Sequence, residues 1–147
     1  LSLIQATAFK ISEFKDFYSV VGYVSYHIRC LLKTDHLSHA LNKAKVFWED
    51  RKARIMEYRW HRFLSAYIEA LLANQEYLKI IRLVNRYKLI PLEQERKIKT
   101  QSLHRSIEAM YYLAMYYCDH LTKKDVISKL EKFQLPGVIE NIDSKEY

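Results

Sequence analysis

The chain has 147 residues, half of them apolar, and a formal charge of +7 from 24 basic and 17 acidic side chains. That length suits one domain with a continuous core. Only two glycines (Gly22, Gly137) and two prolines (Pro91, Pro136) occur, where average usage gives roughly ten and seven; so few chain breakers exclude a turn-rich β-sandwich or barrel and favour long helices. The positive charge admits nucleic acid, an acidic protein surface or anionic lipid as partner and selects none of them.

No apolar run approaches the ~20 residues of a membrane span, so no membrane partner is expected. Residue 1 is Leu, and LSLIQATAFK lacks the basic n-region and small-residue cleavage site of a signal peptide. The expectation is a single cytoplasmic helical-repeat domain over 1–147, a module of a longer protein. Cys30 and Cys118 are far apart and flanked by apolar residues; they read as small core residues of a reducing compartment.

Helical periodicity runs almost throughout. Ser12 is a candidate N-cap, with Glu13 and Asp16 in the first turn. Phe14, Val21, Val24, Ile28, Leu31 and Leu32 then place an apolar stripe on a first helix of about residues 13–32. Lys33-Thr34-Asp35 supplies a turn and an N-cap for a second helix carrying Leu37, Ala40, Leu41, Ala44 and Phe47 or Trp48. Its end is expected as a short break at 49–52 or as a bend in one long helix. The third helix is expected over about 53–72, followed by a turn at Ala73-Asn74-Gln75. The fourth, with Tyr77, Ile80, Val84 and Tyr87, stops before Pro91. A fifth spans about 93–118. Thr122 followed by Asp125 is capping-box-like and opens a sixth helix with Val126, Ile127, Leu130 and Phe133. Pro136-Gly137 ends it, and residues 138–147 read as an extended tail.

The sequence also matches itself. Residues 26–37 overlie 66–77 at an offset of 40, pairing Ile28 with Ile68 and Leu31-Leu32 with Leu71-Leu72. Asp35-His36-Leu37-Ser38 overlies Asp119-His120-Leu121-Thr122 at an offset of 84. Both matches fall on the turn between paired helices, which points to three hairpins. Leu37, Ala40, Ala44 and Phe47, and again Tyr77, Ile80, Val84 and Tyr87, follow spacings that resemble the tetratricopeptide repeat at its turn. The period near 40 exceeds the 34 of that family, and its Trp-Leu-Gly signature is missing. The resemblance implies an all-α fold of about six antiparallel helices, arranged as three stacked hairpins or an irregular bundle. It also implies a peptide- or protein-binding groove.

Catalytic chemistry finds no support. With two glycines, no phosphate-cradling loop forms, and no nucleophile elbow, dinucleotide fingerprint or HExxH pattern occurs. His36 and His39 share a helix face, but a structural zinc site needs four ligands and no Cys pair lies nearby. No cofactor and no metal are expected.

Two features suit binding. At helical spacing the stretch RKARIMEYRWHR (51–62) places Arg51, Arg54, Tyr58 and Arg62 on one face, and Lys79, Arg82 and Arg86 form a second basic stripe over 79–86. Such stripes bind phosphates or acidic side chains, with Tyr58 able to stack; the alternative is a solvated helix face. Tyr111, Tyr112, Tyr116 and Tyr117, with Met110 and Met115, surround one helix. They read as a central core helix or, with Tyr67, Tyr112 and Tyr116, as the lining of a partner groove. The leading expectation is therefore a non-catalytic regulatory or scaffold module binding a peptide or protein, with self-association at its open ends. A nucleic-acid-binding domain is the alternative.

Overall fold

The computed structural model describes the backbone of residues 3–90 and 102–131 and the side chains of residues 18–90 and 105–131. Among the described residues the fold is all-α, without strands: α1 (Leu3–Lys33), α2 (Leu37–Glu57), α3 (His61–Ala73), α4 (Tyr77–Tyr87), α5 (Ser102–Tyr117) and α6 (Lys123–Glu131). The expected helix over 93–101, the Pro136-Gly137 stop and the tail at 138–147 lie outside the described residues.

Two helix boundaries differ from expectation for reasons of local chemistry. α1 starts at Leu3, so Ser12 lies inside it rather than capping it; residues 3–12 contain neither Gly nor Pro to stop the helix earlier. α2 continues through 49–52 to Glu57. The polar residues there are good helix formers, and Lys52 pairs with Glu49 one turn back at 3.6 Å. The break falls instead at Tyr58–Trp60, where Arg59 takes a left-handed φ of 49°.

One turn geometry recurs. At Asp35 the backbone is left-handed; its N–H donates to the Leu32 carbonyl at 3.2 Å, and the N–H of His36 donates to the Leu31 carbonyl at 2.8 Å. This pair of bonds satisfies carbonyls that a helix end otherwise leaves unpaired. Gln75 and Asp119 carry the same pair, through Leu72 and Leu71 and through Tyr116 and Met115. Arg59 closes α2 in the same way through Met56 and Ile55. Asp35 thus ends α1, and α2 is capped by His36, which makes no side-chain cap bond. At the start of α6, by contrast, the Thr122 hydroxyl accepts the N–H of Asp125 at 3.2 Å, the N-cap bond that the Thr-x-x-Asp spacing anticipates.

The chain divides into two compact units, residues 1–67 and 68–147, with the division inside α3. In the first unit α1 packs on α2. Val21, Val24 and Ile28 bury one stripe of α1, and Ala40, Leu41, Ala44, Trp48 and Ile55 bury one stripe of α2. Phe63, Leu64 and Tyr67 of α3 complete this core. Phe63 lies 5.0 Å from Phe47 and Tyr67 lies 5.9 Å from Trp48, centroid to centroid. Arg29 donates to the buried Ser65 hydroxyl at 3.4 Å.

In the second unit α5 packs on both α4 and α6. Ala109, Leu113, Tyr116, Val126 and Leu130 form a core against which Leu72, Tyr112, Tyr117 and Ile127 pack. Tyr77 and Tyr117 stack at 4.8 Å with planes 21° apart, a geometry favourable for aromatic pairs. Cys30 and Cys118 are free thiols, each half-buried.

Candidate interaction surface

The outer side of α1 departs from what a solvated helix shows. Opposite the buried Val21, Val24 and Ile28 it carries Tyr23 and Tyr26, exposed to 66% and 65%, with Val20 at 44% beside them. A solvated face is normally charged or polar. Val20, Tyr23 and His27 fall at spacings of three and four and form one stripe. His39, Lys43 and Val46 form the matching stripe on α2, where Val46 is 55% exposed.

Side-chain contacts tie the stripes together in antiparallel register. The Lys43 ammonium lies 6.0 Å from the Tyr23 ring centroid, at the outer edge of cation–π range. One turn further along α1, the His27 ring meets His39 edge-on at 6.4 Å. Tyr23 also lies 6.0 Å from His27. The same register sets Val20 opposite Val46. The result is a ladder of three rungs across the α1–α2 hairpin: aliphatic, aromatic with a cation, and paired imidazoles.

Near the α2–α3 turn a second aromatic group gathers. Tyr58 stacks on Trp60 at 5.4 Å, and Tyr18 of α1 meets Trp60 edge-on at 6.0 Å. The break at Arg59 is responsible. It places Arg51 and Arg54 on α2, Tyr58 at the α2 C-cap and Arg62 on α3, so these four do not share one helix face as expected. Arg62 instead lies against α1, where its Nη1 sits 3.7 Å from the position of a Cβ on Gly22.

The other basic stripe keeps its helix. Lys79, Arg82 and Arg86 lie on the exposed side of α4, opposite buried Ile80, Ile81 and Val84. Lys79 pairs with Glu76 at 3.6 Å, and the Arg86 guanidinium lies 5.5 Å from the Tyr87 ring centroid. Of the tyrosines expected to line a groove, Tyr67 and Tyr116 are buried in the cores of their own units. Their rings are packing residues and not a presented surface. Tyr112 is half-buried; its hydroxyl donates to the buried Glu108 carboxylate at 2.6 Å, and Lys129 lies 5.0 Å from its ring centroid.

His36 and His39 turn to different partners. His36 Nδ1 is 2.9 Å from the Thr34 hydroxyl, and His39 faces His27. No group of three or more metal-ligating side chains forms among the described residues. No described helix is long and apolar enough to cross a membrane.

Tyr23, Tyr26, Val20 and Val46 were not singled out by sequence reasoning. The signal available was the run from Phe17 to Thr34, which carries three tyrosines and three valines but no carboxylate. No family model matches this chain, and no curated protein or solved structure proves significantly similar to it.

Proposed function

We propose that this chain is a non-catalytic interaction module, of regulatory or scaffold type, that holds a protein partner against the α1–α2 face of its first unit. The observation that carries the reading is the exposure of Tyr23 and Tyr26, about two-thirds each, together with Val20 and Val46 on one hairpin. Contiguous apolar surface rimmed by polar groups marks interaction sites, and tyrosine is enriched at the centres of interfaces. The recurrence of one turn geometry at Asp35, Gln75 and Asp119 supports a tetratricopeptide-like series of hairpins as the scaffold. A short series of that kind has open ends, which leaves room for self-association.

A second reading is favoured by α4 alone, whose Lys79, Arg82 and Arg86 share an exposed face suited to a phosphate backbone. Fluorescence anisotropy of labelled duplex DNA and single-stranded RNA, titrated with salt, separates the two. The interaction-module reading expects no binding tighter than about 100 µM at physiological salt, the weak end of ordinary non-specific nucleic-acid binding. Micromolar or tighter binding with a steep salt slope, lost in Arg82→Glu and Arg86→Glu, would replace it with the nucleic-acid reading.

A further inference from the structure

Resting on the interaction-module reading, we infer that the occupant of the α1–α2 face is a second copy of this chain. The two copies dock about a two-fold axis that passes by Val20 and Val46.

The order of charges along α2 supplies the argument. Val46 is exposed, and the residues beside it on the outward side are arranged in mirrored steps. Three and four residues before it come Lys43 and Asn42; three and four after it come Glu49 and Asp50. Such steps keep all of them on one helix face, away from the buried Ala40, Ala44 and Trp48. Asn42, Glu49 and Asp50 are exposed, and Lys43 is half-buried beside the Tyr23 ring. Glu49 already holds Lys52 at 3.6 Å. Lys43 and Asp50 make no ion pair with another described residue. The face therefore carries a cation on one side of an apolar centre and carboxylates on the other.

A uniformly acidic partner meets like charge at Glu49 and Asp50, and a uniformly basic one meets it at Lys43. A nucleic-acid strand brings phosphates to the same two carboxylates. The image of this face after half a turn about Val46 has the opposite order. It lays α2 antiparallel to its copy and brings Lys43 of each chain to Glu49 and Asp50 of the other. Because a two-fold contact is isologous, every such pairing occurs twice.

The first helix accepts the same axis. The contacts of Tyr23 with Lys43 and of His27 with His39 set Val20 opposite Val46, so one axis across the helices passes by both valines. Each valine then meets its own copy. From Tyr18 to Ile28, α1 carries no Asp, Glu, Lys or Arg, and nothing on it opposes this approach. Two valines and Tyr23 present less than the ~800 Å² per partner of a standard interface. The dimer is accordingly a reversible one, half-formed at about 10–100 µM.

Sedimentation equilibrium of the whole chain tests this, with a monomer–dimer equilibrium in that range as the expected result. Lys43→Glu sets a carboxylate against Glu49 and Asp50, and Asp50→Lys sets a lysine against Lys43. Each variant alone should dimerise at least tenfold more weakly. Mixed together, the two should form a heterodimer close to the parent affinity, because each supplies the charge that the other lost. Val46→Glu, at the axis, should leave the chain monomeric, and Arg82→Glu on α4 should change nothing. Circular dichroism checks that each variant keeps its fold, which substitutions at these outward positions should not disturb. A parent chain that stays monomeric at millimolar concentration overturns the second copy. So does dimerisation that Val46→Glu leaves intact, or a pair of charge-swapped variants that gains nothing on mixing. The interaction-module reading survives those results if photo-crosslinking at positions 23 and 46 in cells captures a different protein. It falls with the inference if those positions capture none.

Discussion

Asp35 and Gln75, forty residues apart, hold the same left-handed backbone, with φ of 64° and 60°. Each closes a helix through the same two hydrogen bonds, and neither is glycine, the residue usually found at this position. An L side chain there costs roughly 1–2 kcal/mol, less for Asp, whose short polar side chain visits this region more readily. Gln75→Gly is therefore expected to raise the unfolding free energy by about 0.5–1 kcal/mol after the entropy that glycine adds to the unfolded chain. Asp35→Gly should gain less. Urea denaturation followed by circular dichroism reads both.

Gly22 lies within α1, where glycine weakens a helix and no left-handed geometry requires it. A Cβ there meets Arg62 Nη1 at 3.7 Å, an ordinary van der Waals contact. Gly22→Ala should accordingly stabilise the chain by about 0.5–1 kcal/mol. Its thermal midpoint, compared with that of the parent chain, is the measurement.

The stacked pair Tyr77 and Tyr117 should make the second unit sensitive to alkali. Burial pushes both hydroxyls above the usual tyrosine value of 10.0; Cys118 adds to the effect at Tyr77, and Tyr77 and Tyr116 add to it at Tyr117. The folded state thus holds these protons more tightly than the unfolded chain does. The stability this contributes is fully present below pH 10 and is lost as pH rises through the raised folded values. Unfolding titrations from pH 8 to 12 should show stability falling above pH 10, with a shallower fall in Tyr77→Phe and Tyr117→Phe. Tyr26 is also raised, by its hydrogen bond to Cys30, then by the charge of that thiol and by burial. Its exposure to solvent leaves it little leverage on folding.

Glu108 is 2% exposed, an unusual depth for a carboxylate, and accepts the Tyr112 hydroxyl at 2.6 Å. Tyr112→Phe removes this donor from a buried carboxylate, at a cost of about 1–3 kcal/mol. Tyr111→Phe, which loses a more exposed bond to Asn85 at 3.0 Å, should cost about 1 kcal/mol or less. Parallel urea titrations of the two variants compare them.

The helical class and the turns at Asp35, Gln75 and Asp119 were legible because they rest on local chemistry: periodicity, few chain breakers, and the self-matches at offsets 40 and 84. The Thr122 cap was legible for the same reason. The break at Tyr58–Trp60 was not, since a left-handed Arg59 carries no turn signature and the polar run at 49–52 offered a more plausible stop. That one displaced boundary undid the expected face of Arg51, Arg54, Tyr58 and Arg62. The burial of Tyr67 and Tyr116 was equally hidden, because a tyrosine at helical spacing suits a core and a surface alike. The α1–α2 ladder depends on the register between two helices, which periodicity within either helix does not contain.

The central claim is that the α1–α2 face of the first unit meets a protein. Photo-crosslinking in cells of the source organism tests it most directly, with the reactive residue placed in turn at positions 23, 46 and 82. The account predicts one discrete crosslinked protein shared by positions 23 and 46 and absent from 82, which then binds the purified chain and loses that binding on Tyr23→Ala. Crosslinks confined to position 82, or none above background at 23 and 46, would contradict it.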